Sequence, residues 1–176
     1  MNNIKCLRIC FTGHRPNKLI WRYNEELESC KKFKIDMEKM LIRAIECNYC
    51  YFISGMALGI DIIFAEIILK LQNIYKNIKL ECAIPCLNQT ELWKEKDKIR
   101  YNKILKMCDK ITYVSNSDYY KGCMEKRNKY MVDNSDLIIA IWNGSNSGTK
   151  NTIDYAKQKK LKIKIINPEV YKQKSD

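Results

Sequence analysis

The chain has 176 residues, of which 46% are hydrophobic and 30% charged. This length predicts a single domain over residues 1–176 with a sizeable core, and the composition argues against a disordered chain. Asp61 and Glu66 interrupt the most apolar stretch, residues 51–69, and Lys5 and Arg8 interrupt the N-terminal one, so neither a membrane span nor a signal peptide is predicted. We expect a cytoplasmic protein with no membrane partner and a frayed tail at 172–176.

Short β-rich runs alternate with longer helical patterns along the chain. The predicted strands are 6–11, 51–53, 80–84, 111–114, 137–141 and 163–166, and the predicted helices are 27–47, 58–74, 89–107, 122–133 and 150–160. Asn88, followed three residues later by Glu91, predicts a capping box at the start of the third helix. The alternation predicts βαβ units, and hence a three-layer, Rossmann-like α/β domain with a mostly parallel sheet of about six strands.

The nine cysteines do not predict a disulfide framework, because their number is odd and the chain is long enough to fold without one. Four of them lie in apolar runs and are expected to act as small hydrophobic residues: Cys6, Cys10, Cys82 and Cys86. Cys47 and Cys50 form a lone CxxC pair, and the single histidine, His14, belongs to a different motif. No metal site is therefore predicted.

The net charge of +12 favours anionic ligands in general. Only six of the 32 basic residues are arginines, and the lysines are scattered along the chain. A nucleic-acid interface is usually a compact basic stripe, so single-stranded nucleic acid remains an alternative partner rather than the first expectation.

Three glycine-bearing segments follow predicted strands, where parallel α/β folds bind their ligands. The first contains Thr12, Gly13, His14 and Arg15; the second contains Ser54, Gly55, Met56, Gly59 and Asp61; the third contains Trp142, Asn143, Gly144, Gly148 and Thr149. Backbone N–H groups at a strand-to-helix junction can hold a phosphate, Arg15 can pair with it, and Trp142 can stack on a base. Each segment alone is compatible with a plain turn, but three at one sheet edge favour a nucleotide site.

These motifs resemble the SLOG superfamily in its YpsA-like branch. The resemblance rests on FTGHRP at 11–16, SGMALGID at 54–61, IPC at 84–86, Arg127-Asn128, MVD at 131–133 and Gly148-Thr149. It implies a Rossmann-like fold that binds a nucleotide-derived small molecule such as NAD or ADP-ribose, with no further cofactor. It also implies a homo-oligomer, and a site that includes Arg127 and Asn128.

Comparison with the LOG phosphoribohydrolases of the same superfamily bears on catalysis. Met124-Glu125-Lys126-Arg127 is similar to their Met-x-x-Arg-Lys helix, but Thr152 stands where their loop carries a catalytic glutamate. This departure favours binding, either sensing or sequestration, over hydrolysis. An N-glycosidic or pyrophosphate hydrolase with Arg127, Asp61 or Glu66 as catalytic candidates stays an alternative, and single-stranded nucleic-acid binding in the manner of the superfamily's DprA branch is a second alternative.

Overall fold

A computed structural model describes residues 5–173 and contains a six-stranded sheet whose strands are all parallel. The strands are β1 (Leu7–Gly13), β2 (Tyr49–Ser54), β3 (Lys79–Ile84), β4 (Lys110–Tyr113), β5 (Leu137–Ile141) and β6 (Lys162–Ile166). The helices are α1 (Glu28–Glu46), α2 (Ile60–Leu71), α3 (Glu95–Met107), α4 (Cys123–Asp133) and α5 (Gly148–Gln158), with short 3-10 helices at Pro16–Lys18 and Pro168–Tyr171. The predicted three-layer Rossmann-like class is confirmed.

The strand order is β4-β3-β2-β1-β5-β6. From β1 to β4 each new strand is added on one side of β1, and the chain then crosses back to place β5 and β6 on the other side. Helices α1, α2 and α3 pack with one another against one face of the sheet, and α4 and α5 pack together against the other. The central strand β1 is buried because both faces are covered, which explains its apolar run without alternation.

The larger part of the core lies on the side of α1, α2 and α3. There Phe11 of β1 stacks on Phe64 of α2 with ring centroids 4.2 Å apart, and Phe33 of α1 packs edge-on against Phe64. Helix α2 is buried over most of its length because it packs against the sheet and against both α1 and α3. Its N-terminus is therefore held rigidly at the carboxyl edge of the sheet.

The structure corrects several details of the predicted elements. Helix α3 begins at Glu95 rather than at 89: Asn88 does not cap it, but donates to Glu91 and accepts from the backbone N–H of Tyr119. Of the tail predicted at 172–176, residues 172 and 173 lie outside any helix or strand, and the remainder, like residues 1–4, lies outside the described range.

The expectation for Cys6 was also wrong. Cys6 is exposed and forms a disulfide with Cys50, with their Cα atoms 5.5 Å apart across β1 and β2. A sequence pattern could not show this pairing, because it depends on the register between Leu7 and Tyr49 in the two strands. Cys47, the other member of the CxxC pair, is a free and exposed thiol.

Candidate functional site

A cleft opens at the carboxyl ends of β1 and β5, where Gly13 and Ile141 are paired in the sheet. The connection after β1 leads to one face and the connection after β5 to the other, which leaves a crevice between them. This cleft has a volume of about 310 Å³. Its lining comprises Thr12, Gly13, His14, Arg15, Asn17, Lys18, Ala57, Asp61, Met124, Arg127, Asn128, Ser147, Gly148 and Thr149.

The first wall of the cleft follows β1. Gly13 is required there, because a Cβ at this position would overlap the side chain of Ile60 at the start of α2. His14 is buried, and its Nε2 lies 2.7 Å from Oδ1 of Asn143, which joins the segments after β1 and β5. Burial lowers the pKa of His14 below its usual value, so the imidazole is neutral at pH 7.

Arg15 and Lys18 bring positive charge to the rim of this wall. Arg15 is exposed, and its charge acts on both Asp61 and Arg127 inside the cleft. The short helix Pro16–Lys18 turns Lys18 back toward the segment after β5, where Nζ donates to the carbonyl of Asn146 at 3.1 Å. Both side chains can therefore meet an anion that enters from solvent.

Most of the segment after β2 lies behind the cleft, and only Ala57 and Asp61 of this segment line it. Ser54 is buried; its hydroxyl donates to the carbonyl of Asp61 at 2.8 Å and accepts from the N–H of Met56 at 3.1 Å. Met56 and Gly59 both have positive φ, 55° and 99°. Ser54, Met56 and Gly59 therefore have a structural role, because they hold the segment in a tight conformation that sets the position of Asp61.

Arg127 and Asp61 form a buried ion pair at the centre of the cleft, with Nη1 and Oδ2 3.8 Å apart. Their side chains are 4% and 6% exposed, so this pair has little shielding by water. Burial raises the pKa of Asp61 and lowers that of Arg127, while each charge opposes the shift of the other. The Asp61 carboxylate also accepts from the N–H of Ala57 at 3.2 Å.

The remaining donors of Arg127 show which part of the guanidinium is available. Nη1 donates to the carbonyl of Gly55, and Nε donates to Oδ1 of Asn128 at 2.8 Å. A Cβ on Gly55 would collide with this guanidinium, so the glycine makes room for it. Nη2 has no hydrogen-bond partner within residues 5–173, and it is the nitrogen left to serve a ligand.

A short hydrogen-bond relay holds Arg127 in place. Nδ2 of Asn128 donates to Oγ1 of Thr152 at 2.8 Å, and the Thr152 hydroxyl donates to the carbonyl of Gly148 at 2.8 Å. Thr152 is buried, and its hydroxyl both accepts and donates a hydrogen bond. The position that carries a glutamate in the LOG enzymes therefore ties α4 to α5 in this chain.

The segment after β5 supplies the start of α5. Ser147 caps this helix by accepting from the N–H of Lys150, and Gly148 and Thr149 at the first two helical positions line the cleft. Free N–H groups at a helix start, together with the helix dipole, attract anions. Trp142 does not line the cleft; its indole N–H donates to the carbonyl of Ser145 at 2.7 Å.

The structure thus brings most of the predicted site residues together. Nine line the cleft: Thr12, Gly13, His14, Arg15, Asp61, Arg127, Asn128, Gly148 and Thr149. Seven lie behind or beside it: Ser54, Gly55, Met56, Gly59, Trp142, Asn143 and Gly144. The structure does not bring Glu66 to the cleft, because its carboxylate pairs with Arg100 of α3 at 2.5 Å on the side of the α1–α3 layer.

Five lining residues were not named individually among the predicted site residues, although two of them lie inside the predicted second and third segments: Asn17, Lys18, Ala57, Met124 and Ser147. Ser147 could have been predicted from the sequence, since serine is a preferred N-cap and the helix begins directly after it. Lys18 could not have been predicted, because its position beside the cleft depends on the 3-10 turn that starts at Pro16.

Within residues 5–173, no helix is long and apolar enough to cross a membrane. The same part of the chain contains no group of three or more histidine, cysteine, aspartate or glutamate side chains placed to hold a metal ion.

Solved structures similar to this chain confirm the fold. DNA processing protein A from Helicobacter pylori, whose structure was described for its single-stranded DNA binding mode, superposes with a TM-score of 0.64 at 19% identity over 91% of this chain. DprA from Streptococcus pneumoniae superposes with a TM-score of 0.59 at 13% identity over 97% of this chain. The present chain spans only 65% and 62% of these two proteins.

The sequence relatives come from bacteria. The SPbeta prophage-derived protein YoqJ of Bacillus subtilis is 36% identical over 63% of this chain and 71% of its own length. A UPF0398 protein of Brevibacillus brevis is 28% identical over 87% of this chain and 81% of its own length. Residues 9–170 match the YspA SLOG family. The predicted resemblance is thereby confirmed, and this chain belongs to the YspA SLOG family.

Proposed function

We propose that the protein binds a phosphorylated nucleotide derivative of the ADP-ribose or NAD type in the cleft between β1 and β5, and senses or sequesters it without cleaving it. The observation that carries this proposal is the concentration of positive charge in the cleft. Three cationic side chains, Arg15, Lys18 and Arg127, line it beside a single carboxylate, Asp61, and the N-terminus of α5 opens into it.

The cationic side chains of the cleft and the start of α5 are suited to bind phosphate for three reasons. Arg127 is fixed by Asn128 and Gly55, so it loses little freedom when a ligand binds. Arg15 offers a planar fork of donors at the entrance. Gly148 and Thr149 add backbone N–H groups at the helix start, and the dipole of α5 favours negative charge there.

Binding is favoured over cleavage because three carboxylates in or beside the cleft are already engaged. Asp61 is paired with Arg127, Glu125 with Lys129 at 2.8 Å, and Asp154 with Lys150 at 2.6 Å. Hydrolysis of a glycosidic bond requires a carboxylate placed to activate water or to stabilise the developing positive charge. Thr152 provides no such group.

The test is isothermal titration calorimetry with ADP-ribose, NAD and AMP on the wild type and on Arg15→Ala, with Arg43→Ala as matched control. Arg43 is likewise an exposed arginine, near the end of α1. We expect Arg15→Ala to weaken binding by about 1.5–3 kcal/mol, roughly 10- to 150-fold, and Arg43→Ala to leave it unchanged. Equal affinity of both variants would remove Arg15 from the site.

The likeness to two DprA proteins gives single-stranded DNA a place as the second candidate ligand. The net charge of +12 is compatible with it. Fluorescence anisotropy with a labelled oligonucleotide at increasing salt distinguishes the two: phosphate-backbone binding gives a steep linear fall of log K with log salt. Affinity for the oligonucleotide that is absent, or insensitive to salt, eliminates this candidate.

A further inference from the structure

A second and larger cavity adjoins the cleft. This groove, about 560 Å³ in volume, runs between α4 and α5. Its lining includes Tyr119, Met124, Asn128, Asn151, Tyr155 and Gln158. Met124, Asn128 and Gly148 line both the groove and the cleft, so the two cavities share a boundary.

The groove and the cleft differ in charge. The cleft has three cationic side chains against one carboxylate, whereas the two acids of the groove are each neutralised by a lysine of their own helix. Glu125 pairs with Lys129, and Asp154 pairs with Lys150. The groove therefore has no excess of positive charge to attract a phosphate.

The side chains of the groove are suited to an uncharged, flat and partly polar group. Met124 and the rings of Tyr119 and Tyr155 provide apolar and aromatic surface. Asn151 and Gln158 are exposed amides that can both donate and accept hydrogen bonds. Small-molecule sites commonly combine such a surface with a few polar groups.

We infer that the groove between α4 and α5 holds the nucleoside portion, base and ribose, of the ligand whose phosphates occupy the cleft. This inference rests on the proposed function and extends it. The ligand is assigned two chemically distinct halves, an anionic one beside Arg127 and a neutral one beside Tyr155, joined across Asn128. A nucleotide is thereby distinguished from a simple phosphate or a sugar phosphate.

Asn128 is suited to the boundary between the two cavities because its side-chain amide is already hydrogen-bonded within the protein. It accepts from Arg127 and donates to Thr152, so it forms a fixed partition between the two cavities rather than a ligand-binding group. Gly148 on the opposite side has open space where a Cβ would lie, which leaves the passage between the cavities wide.

The inference is tested by filling the groove without touching the cleft. Asn151→Trp places an indole in the groove from an exposed position of α5, and Lys157→Trp, on the same helix and exposed outside the groove, is the matched control. Affinities for ADP-ribose and for inorganic pyrophosphate are measured by calorimetry on the wild type and both variants. Circular dichroism melting shows that each variant is folded.

We expect Asn151→Trp to bind ADP-ribose at least tenfold more weakly than the wild type, with unchanged affinity for pyrophosphate and no effect of Lys157→Trp. If Asn151→Trp binds ADP-ribose as tightly as the wild type, the groove does not hold the nucleoside, although the proposed function stands. A change of oligomeric mass in Asn151→Trp at unchanged ADP-ribose affinity overturns the inference in favour of a second copy of the chain in the groove. Wild-type protein that binds neither compound overturns the inference, and the proposed function falls with it if the wild type also fails to bind NAD and AMP.

Discussion

The ion pair between Arg127 and Asp61 gives the sharpest prediction about the cleft. Replacing Arg127 by methionine removes the guanidinium but keeps an unbranched apolar stem in place of the arginine methylenes. The Asp61 carboxylate is then left buried, with the N–H of Ala57 at 3.2 Å as its hydrogen-bond donor. Breaking a buried pair in this way typically costs about 3–5 kcal/mol, a large fraction of the 5–15 kcal/mol that stabilises an average domain.

The measurement is urea unfolding followed by far-UV circular dichroism for Arg127→Met, Asp61→Asn and the double variant. We expect Arg127→Met to lose about 3–5 kcal/mol, and Asp61→Asn to restore part of that loss in the double variant because no buried charge remains. Arg127→Met and the double variant are not expected to bind ADP-ribose, because both lack the guanidinium. A loss below about 1 kcal/mol in Arg127→Met would show that the pair is open to water, and the reasoning about its burial would be wrong.

Three further predictions concern the surroundings of the cleft and the sheet. Gly55→Ala places a methyl group against the Arg127 guanidinium, so it should lower the free energy of unfolding by about 1–3 kcal/mol and weaken ligand binding. Unchanged stability together with unchanged binding would contradict the close packing of Gly55 against Arg127. Tyr130→Phe removes a 2.6 Å hydrogen bond to buried Glu81, and we expect a loss of about 1.5–3 kcal/mol in urea unfolding at pH 7 that shrinks toward zero in strong acid. His14 is the only histidine, so the imidazole C–H resonances in proton NMR belong to it alone and report its pKa directly. We expect a pKa below the ordinary value of about 6.5, and a pKa at or above that value would contradict its burial.

The expected decrease of the Tyr130→Phe effect in acid follows from the surroundings of Glu81. Burial alone would raise the pKa of Glu81, but hydrogen bonds from Thr112, Tyr130 and Tyr51 outweigh burial, and the pKa is lowered. A carboxyl with a lowered pKa in the folded state stabilises the fold above its unfolded pKa of about 4.3 and loses that contribution as the pH falls through the folded value. The cost of Tyr130→Phe should therefore be constant near neutrality and decrease only below about pH 4. A cost that does not change with pH would show that Glu81 is not the ionised partner.

The order of the elements and the parallel sheet were predictable because they depend on local pattern. Apolar runs such as that of β5 and the helical spacing in α2 are readable one segment at a time. The location of the cleft was predictable too, because the loops that follow parallel strands meet at one edge of the sheet. Gly13 and Arg15 could be placed there on that argument alone.

What the sequence did not reveal depends on contacts between distant segments. The engagement of Glu66 with Arg100 requires α3 to pack beside α2, and the carboxylate cannot reach the cleft as a result. The role of Thr152 as a tether depends on Asn128, 24 residues earlier on another helix. Trp142 is turned toward Ser145 by a local hydrogen bond rather than toward the cleft.

The central claim, that the cleft binds a nucleotide derivative intact, is tested most directly by a mass balance. The wild type and Arg15→Ala are each mixed with NAD, ADP-ribose, cyclic ADP-ribose isomers and AMP, filtered, and heated, and both fractions are analysed by liquid chromatography and mass spectrometry. We predict that one of these compounds is depleted from the filtrate by the wild type, is recovered unchanged from the denatured protein, and is depleted less by Arg15→Ala. Conversion to a new mass would make the protein an enzyme, and no depletion of any compound would contradict the claim.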